Sequence, residues 1–300
     1  MFWFPVAYAA DDICSSWTAS ERVAEVDRMP SAESSALAVF SDGFLTLDDS
    51  GGAAELYAFD LDGNFLRTLV VEGATNIDWE DLAVAPCEEG ECAFIADIGD
   101  NGESRDHVTI WRAPLTGTTS ATAVACDLAF EDGVARDAES LLLFPDESVR
   151  IVTKSSGTTE VFYAPTLACD GSVQSLTEEA DLTLDEPVTG GAVSADGSLV
   201  VLRGLTIGWA WRGCVLDWSA SPEPLLFVGE QQGEGVAIAE DGTLYSSSEG
   251  KTFELHELPC AATESLVCDE CGCGSGGPVK PWGLAALGLA WRRRNAAPTA

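Results

Sequence analysis

The chain of 300 residues carries 15 Lys and Arg residues against 50 Asp and Glu residues, which gives a formal net charge of −35. This excess of negative charge argues against nucleic acid as a partner, because binding to phosphates requires cationic side chains that replace the counterions. The hydrophobic content of 46% argues against a wholly disordered chain. The length accommodates one large all-β domain or two average domains, and the charge is typical of a solvated surface or of cation binding.

Residues 1–10, with the sequence MFWFPVAYAA, look like the end of a secretory signal. An apolar run leads to the cleavage-type site Ala7-Tyr8-Ala9, although no basic segment comes before it. The ten Cys residues independently indicate export to an oxidising compartment.

Cys87 and Cys92 flank a short EEGE turn between two predicted strands, so we expect a local disulfide there. The other expected disulfides join neighbouring repeats or the two ends of the chain: Cys126–Cys169, Cys214–Cys260 and Cys14–Cys268. Spacing alone does not fix this connectivity. Zinc is a weaker alternative, because the clustered Cys268, Cys271 and Cys273 lack a second CxxC pair at a usable spacing.

Polar residues 11–20 predict a loop, and the alternation in residues 21–27 predicts a single strand. Short alternating segments then recur in groups. The first group comprises residues 36–40, 44–47, 55–59 and 65–71, with an Asp-Gly hairpin turn before its last strand. The second comprises residues 81–85, 93–97, 108–112 and 123–130, and the third comprises residues 140–144, 149–153, 160–164 and 180–184. The fourth comprises residues 191–194, 199–202, 207–211 and 224–228, and the fifth has only 236–239, 243–247 and 252–258.

Five groups of about 48 residues each fall in the size range of propeller blades. The fifth group lacks a last strand, and residues 21–27 lack a partner, so we expect the N-terminal strand to complete the last blade and hide its open edge. The predicted fold is therefore all-β, a β-propeller of five four-stranded blades over residues 11–262. A six-bladed ring with one unrecognised blade is the main alternative, and a β-sandwich accounts less well for the regular repeat.

The composition changes after the repeats. Residues 263–281 are a Cys- and Gly-rich linker, and residues 282–300 contain a short apolar segment followed by Arg292, Arg293 and Arg294. Eleven residues in a helix rise about 16 Å, which is well short of the ~30 Å hydrocarbon core of a membrane. We therefore expect membrane contact only through this tail.

The order of Cys-Gly-Cys, Gly-rich spacer, apolar segment and Arg cluster in residues 271–294 resembles the MYXO-CTERM class of sorting tails on exported proteins of myxobacteria. The resemblance implies recognition at Cys271 or Cys273, removal of the tail and delivery to the cell surface or outer membrane.

Four short segments resemble a family of exported bacterial β-propellers of unknown function. They are WEDLA at residues 79–83, ADIGDN at residues 96–101, DAE at residues 137–139 and GEG at residues 233–235. The resemblance implies fold and relatedness across most of residues 33–258, and it implies no activity.

Alignment of the repeats places two columns of polar residues at one end of the predicted ring. Just before the first strands stand Ser35, Glu80, Glu139, Thr189 and Glu234. At the ends of the second strands stand Asp48, Asp97, Lys154, Arg203 and Glu249. In a propeller the first strands line the central channel, so both columns are expected to meet at one mouth of that channel.

So many carboxylates at close quarters require compensation by cations, shared protons or basic side chains. The predicted ligand-binding residues are Glu80, Asp97, Glu139, Lys154, Arg203, Glu234 and Glu249. The predicted metal ligands are Glu80, Asp97, Asp100, Glu139 and Glu234, and a set of oxygen ligands without His favours Ca²⁺ or Mg²⁺. The alternative is a polar plug in which these carboxylates pair with Lys154 and Arg203.

Residues 97–106 are dense in oxygen donors but do not follow the EF-hand spacing. They either fold around a cation or form a loop tied to Arg105. Catalysis by a nucleophilic Ser is not supported, because there is no GxSxG motif and His107 and His256 lie away from the predicted mouth. Glu80 and Glu139 are the candidates for an acid and a base.

The sequence favours a non-enzymatic, exported and surface-displayed monomer that binds a small molecule or a surface protein at an acidic, Ca²⁺-compatible mouth. The alternative is a divalent-cation-dependent hydrolase of phosphoester, ester or lactone bonds, similar to phytase-like propellers.

Overall fold

The computed structural model describes residues 13–26, 34–41, 43–213, 215–230, 232–249 and 253–264. These ranges contain 23 β-strands and no α-helix, and therefore no helix able to span a membrane. The predicted signal in residues 1–10 and the tail from residue 265 lie outside the described residues.

The strands follow one another with short connections along the whole described chain. The first twelve are β1 (Ile13–Trp17), β2 (Glu21–Val26), β3 (Ala38–Phe40), β4 (Gly43–Leu47), β5 (Glu55–Asp60), β6 (Phe65–Glu72), β7 (Trp79–Cys87), β8 (Gly90–Asp97), β9 (Val108–Pro114), β10 (Ser120–Thr122), β11 (Val124–Phe130) and β12 (Ala138–Leu143). The others are β13 (Val149–Thr153), β14 (Thr158–Ala164), β15 (Val173–Thr183), β16 (Gly190–Val193), β17 (Leu199–Arg203), β18 (Ile207–Arg212), β19 (Glu223–Leu226), β20 (Gln232–Ile238), β21 (Leu244–Glu249), β22 (Phe253–Leu258) and β23 (Cys260–Glu264).

Antiparallel pairing arranges most of these strands in groups of four. The first group is β3-β4-β5-β6, and the second is β7-β8-β9-β11. The third is β12-β13-β14-β15, and the fourth is β16-β17-β18-β19. Parallel pairing of β11 with β15 joins the second and third groups into one eight-stranded sheet.

The last group is completed by the N-terminal strand. β20, β21 and β22 form an antiparallel meander, and β2 pairs antiparallel with β22. The expectation that the N-terminal strand supplies the missing last strand is therefore confirmed.

The turn between β5 and β6 shows how local sequence sets the register. Oδ1 of Asp60 accepts hydrogen bonds from the backbone N–H groups of Asp62 and Asn64. Gly63 adopts a φ of 80°, which a residue without a side chain reaches at little cost. The Asp-Gly signal in the sequence thus marks a real reversal of the chain.

The core lies between successive strand groups, where buried apolar side chains from one group pack against those of the next. Phe130 of the second group and Phe162 of the third have ring centroids 4.7 Å apart. Phe44 of the first group and Tyr245 of the last have ring centroids 4.9 Å apart, within a cluster that also contains Phe59 and Phe253. The packing therefore returns from the last group to the first, and the fold is all-β and propeller-like.

Three short strands were not expected from the sequence. β10 pairs in parallel with β6, and β1 pairs antiparallel with β23. Residues 11–20 were expected to form a loop, and residues after Cys260 were not expected to continue as a strand. Both assignments are wrong because the two short segments supply each other's hydrogen bonds, and neither shows a clear pattern alone.

The described part of the chain contains three disulfides. The expected pairs Cys87–Cys92 and Cys126–Cys169 are both present. The expected pairs Cys214–Cys260 and Cys14–Cys268 are wrong, because Cys14 is bonded to Cys260. Their Cα atoms lie 5.5 Å apart since β1 and β23 run side by side, while Cys214 and Cys268 lie outside the described residues. These disulfides indicate an oxidising compartment.

Candidate functional site

The two predicted columns lie at one end of the strand groups. Trp79, just before Glu80, faces Asp97 across the β7–β8 pair, and Gly190, just after Thr189, faces Arg203 across the β16–β17 pair. The backbone N–H of Lys154 donates to the carbonyl of Asp137, two residues before Glu139. All members of the first column are buried: Ser35, Glu80, Glu139, Thr189 and Glu234. We call this end of the molecule the acidic mouth.

Three carboxylates, which we call the acidic cluster, meet at this mouth. Asp49 follows β4, Asp78 precedes β7 and Glu80 lies near the start of β7. One oxygen of each residue lies within 4.8 Å of the others. Such a set of hard oxygen donors suits Ca²⁺ or Mg²⁺ in its chemistry.

Glu80 is the most deeply placed member of the acidic cluster. Its side chain is only 5% exposed, and among the described residues no donor forms a hydrogen bond with its carboxylate. Burial raises the pKa of Glu80 far above its usual range, and the charges of Glu139, Asp49 and Asp78 raise it further, while Lys154 opposes the rise. The charged form of Glu80 is therefore costly without a cation nearby.

Asp78 shares this environment. Burial raises its pKa to about 6, with further contributions from Asp49 and Asp137 and an opposing one from Arg105. Gly99 packs directly against the cluster, and a Cβ atom at this position would overlap Oε1 of Glu80 and come within 2.5 Å of Oδ2 of Asp78. The loop after β8 thus covers the cluster with bare backbone.

Asn76 brings the parts of the cluster together. Its Nδ2 donates to the carbonyl oxygens of Asp48 and Asp49, at 3.0 and 2.8 Å. Its Oδ1 accepts from the backbone N–H of Trp79 at 3.3 Å. One side chain therefore links the β4–β5 connection to the start of β7 and fixes Asp49 beside Asp78 and Glu80.

Glu139 and Lys154 form an ion pair next to the acidic cluster. The distance between Nζ of Lys154 and Oε1 of Glu139 is 2.5 Å, and the Glu139 side chain is buried while that of Lys154 is 38% exposed. Burial raises the pKa of Glu139 above its usual range, and Lys154 opposes this rise. The charges of Glu139, Glu234 and Glu80 raise the pKa of Lys154, against the effect of burial. Lys154 thus holds its positive charge among three carboxylates.

Asp97 and Asp100 hold the loop that follows β8 through hydrogen bonds. Oδ1 of Asp97 accepts from Nη1 of Arg105 at 2.8 Å and from the backbone N–H of Asp78 at 3.2 Å. Oδ2 of Asp100 accepts from the backbone N–H groups of Ser104 and Arg105, each at 2.7 Å. These contacts correspond to the expected loop tied to Arg105, and they occupy oxygens that the sequence assigned to a metal.

Arg203 differs most from its expected role at the mouth. Its side chain is completely buried, and its Nη2 lies 2.6 Å from Oε2 of Glu230. Its Nη1 donates to the carbonyl of Gly235 at 3.0 Å. The structure thus places Arg203 in the interior, paired with Glu230, and not beside the partly exposed Lys154.

Glu234 and Glu249 are the remaining predicted ligand-binding residues. Oε1 of Glu234 accepts from Nε2 of Gln232 at 3.2 Å, and Glu234 is close enough to Lys154 to raise its pKa. Glu249 ends β21 opposite Gln232, but its side chain lies outside the described part of the structure.

Below the acidic mouth, Asp81 joins three inner strands. It accepts hydrogen bonds from the backbone N–H groups of Leu82 and Leu141 at 2.8 Å and of Gly191 at 3.2 Å. Further along the inner strands the channel widens to a cavity of about 570 Å³ with mainly apolar walls, including Leu37, Ala83, Leu141, Val193 and Val236. Asp81 therefore links the first strands of the second, third and fourth strand groups.

Sequence reasoning missed Asp49, Asn76, Asp81 and Glu230. Asp48 was chosen over Asp49 because it ends the second strand, yet the turn after β4 places the next residue in the cluster. Asp78 was not assigned a role either. The available signal was the density of acidic residues on both sides of Asn76.

No protein-family model matches the chain, and no curated protein matches it in sequence. Solved structures match over most of their length. A glucose dehydrogenase is 12% identical, with a TM-score of 0.51 and coverage of 81% of this chain and 99% of that chain. The PQQ-bound aldose sugar dehydrogenase of Streptomyces coelicolor is 12% identical, with a TM-score of 0.49 and coverage of 80% and 98%. The gluconolactonase XC5397 of Xanthomonas campestris is 14% identical, with a TM-score of 0.41 and coverage of 85% and 99%. At these identities the similarity to the glucose dehydrogenase shows the fold alone, an all-β propeller.

Proposed function

We propose that this chain is an exported β-propeller that binds a ligand at its acidic mouth with the help of a divalent cation, Ca²⁺ or Mg²⁺. The observation that carries the proposal is the Glu80 carboxylate, which is 5% exposed, has no hydrogen-bond donor among the described residues and lies among other carboxylates. Burial of an uncompensated charge costs several kcal/mol, and either a proton or a cation removes this cost. The two further carboxylates within 4.8 Å of Glu80 favour a cation.

The five groups of four antiparallel strands support a five-bladed ring in which β2 completes the last blade. The secretory-type segment at residues 1–10 and the MYXO-CTERM-like tail at residues 271–294 support export, removal of the tail and display at the cell surface. The partner we propose is a small molecule or another surface protein, which a monomeric propeller receives at the mouth.

Thermal melting during titration with Ca²⁺ or Mg²⁺ tests the cation-dependent mouth. Ligands that bind only the folded state stabilise it, so the melting temperature of chelator-treated protein should rise with cation concentration. Glu80→Gln keeps the shape of the side chain but removes its charge, and it should abolish the rise. A melting temperature that neither cation changes would contradict the proposal.

A second candidate function is hydrolysis of phosphoester, ester or lactone bonds, and the Glu139–Lys154 pair favours it. Glu139 is a buried carboxylate with a raised pKa beside the acidic cluster, which is the environment of a proton-transferring group. In this scheme the cation would polarise the substrate and Glu139 would move a proton.

A panel of phosphoester, ester and lactone substrates separates the two functions. The hydrolase function requires cation-dependent turnover that Glu139→Gln removes, while the exposed Asp106→Asn leaves it unchanged. Turnover that survives Glu139→Gln and Glu80→Gln would come from a contaminant and would reject the hydrolase function.

A further inference from the structure

The acidic cluster is built from two successive strand groups. Asp49 lies in the connection between β4 and β5 of the first group, whereas Asp78 and Glu80 stand at the start of β7 in the second. Their oxygens lie within 4.8 Å of one another. Two oxygens that bind one Ca²⁺ at 2.3–2.6 Å are at most about 5 Å apart, so the three carboxylates can share a single ion.

An acidic cluster alone can be a solvated patch, but Glu80 is almost completely buried. It is 5% exposed, and its carboxylate lacks a hydrogen-bond donor among the described residues. The positive charge of Lys154 acts on Glu80, but Lys154 is already paired with Glu139 at 2.5 Å. A buried carboxylate directed at Asp49 and Asp78 without a donor of its own indicates that a ligand completes the group.

The other carboxylates that the sequence assigned to a metal have partners within the protein. Asp97 binds Arg105, Asp100 binds backbone N–H groups, and Glu139 binds Lys154. Glu234 accepts from Gln232. The carboxylates left for an ion are therefore fewer than the sequence predicts. They include Asp49, which the sequence does not single out and whose Oδ1 accepts a local hydrogen bond from the backbone N–H of Ser50.

The cluster is held in place independently of an ion. Asn76 fixes the backbone of Asp48 and Asp49 against the start of β7, and Gly99 brings backbone close to Glu80 and Asp78. A preorganised set of ligands loses little conformational entropy on binding.

We infer that one hard divalent cation binds Asp49, Asp78 and Glu80 and fastens the β4–β5 connection of the first strand group to the start of the second. The inference rests on the proposed function and specifies its ion site. The ion links the first strand group to the second at the mouth, and we call this link through Asp49, Asp78 and Glu80 the clasp. Release of the ion therefore loosens the β4–β5 connection, which contains exposed residues such as Ser50 and Gly51.

Calorimetric titration of Ca²⁺, with Mg²⁺ as a second arm, into the chelator-treated full chain tests the inference. The wild type should bind one ion per chain. Asp49→Asn should weaken binding by about 10–100-fold because one charged ligand is lost. Asp106→Asn, which removes an exposed charge from the loop after β8, should leave the affinity within about twofold because no ligand is lost.

Hydrogen exchange followed by mass spectrometry tests the clasp. Ca²⁺ should slow exchange in residues 48–54 and 76–80 of the wild type, and Asp49→Asn should remove the protection in both segments. Asn76→Ala retains all three carboxylates and should weaken binding as well, so it serves as a second variant if Asp49→Asn folds poorly.

The outcomes distinguish the inference from the proposed function. Failure of the wild type to bind either cation contradicts both. A second outcome is that Glu80→Gln abolishes cation binding, while Asp49→Asn and Asn76→Ala leave it unchanged. This outcome supports the cation-dependent mouth and overturns the clasp between strand groups. Binding of Ca²⁺ that does not protect residues 48–54 from hydrogen exchange likewise overturns the clasp.

Discussion

Nη2 of Arg203 lies 2.6 Å from Oε2 of Glu230, and neither side chain is exposed to solvent. Oε1 of Glu230 also accepts from Oγ of Ser20 at 3.3 Å and from Oγ of Ser246 at 2.9 Å. Ser20 precedes β2, the strand that completes the last group. The buried pair therefore connects the N-terminal strand to the fourth and last strand groups.

Removal of one partner from this pair leaves an uncompensated buried charge. We expect Arg203→Met to reduce the free energy of unfolding in urea by about 3–5 kcal/mol. The double variant Arg203→Met/Glu230→Gln removes both charges and should cost less than the sum of the single changes. Strict additivity in this double-mutant cycle would show that the two side chains do not stabilise each other.

The Cys14–Cys260 disulfide closes the described chain over a sequence separation of 246 residues. Chain entropy predicts that the double variant Cys14→Ser/Cys260→Ser loses about 5 kcal/mol of unfolding free energy, against about 2 kcal/mol for Cys87→Ser/Cys92→Ser. The Cys87–Cys92 disulfide is the matched control because it spans only 5 residues. Equal losses in urea denaturation would show that the long connection does not restrain the unfolded chain.

Gly99 leaves room for the acidic cluster. A methyl group at this position would overlap Oε1 of Glu80, so Gly99→Ala should displace the cluster and abolish the Ca²⁺-dependent rise in melting temperature. Gly102→Ala lies in the same loop, where the nearest atom to an added Cβ is Oγ of Ser104 at 3.6 Å, an ordinary contact. It should retain the full rise. A normal response of Gly99→Ala would exclude close packing of residue 99 on the ion site.

The raised pKa of Asp78 predicts the pH dependence of the metal-free protein. Its pKa is about 6 in the folded chain against a reference value of 3.8, so the folded state binds the proton more tightly than the unfolded state. The contribution of Asp78 to folding stability should therefore fall as the pH rises from 3.8 towards 6 and then level off. Melting temperatures in chelator across this range should therefore decrease more, or increase less, for the wild type than for Asp78→Asn. An identical slope for the variant would show that other groups cause the dependence.

The repeat in the sequence was sufficient to predict the order of the strand groups and the pairing of β2 with β22, because alternation of apolar residues sets which face of a strand is buried. It did not reveal β1, β10 or β23. Each of these strands has three to five residues and depends on a distant partner for its hydrogen bonds. The misassigned Cys14 disulfide follows directly from the unrecognised β1–β23 pair.

The location of the mouth was also predictable, since strand starts and strand ends meet at the same end of neighbouring hairpins. The role of each side chain there was not. Arg203 and Lys154 occupy equivalent positions in the repeat, yet Arg203 turns into the interior to meet Glu230 and Lys154 remains partly exposed beside Glu139. The hydrogen bonds of Asn76 hold Asp49 in the cluster, and no pattern in the sequence predicts these bonds.

A crystal structure of the full chain grown with Mn²⁺ in place of Ca²⁺ or Mg²⁺ would test the central claim most directly, through an anomalous difference map. We predict a peak between the carboxylates of Asp49, Asp78 and Glu80, and its loss in crystals of Glu80→Gln. A mouth without a peak at saturating Mn²⁺, or a peak bound only by residues outside the acidic cluster, would contradict the account.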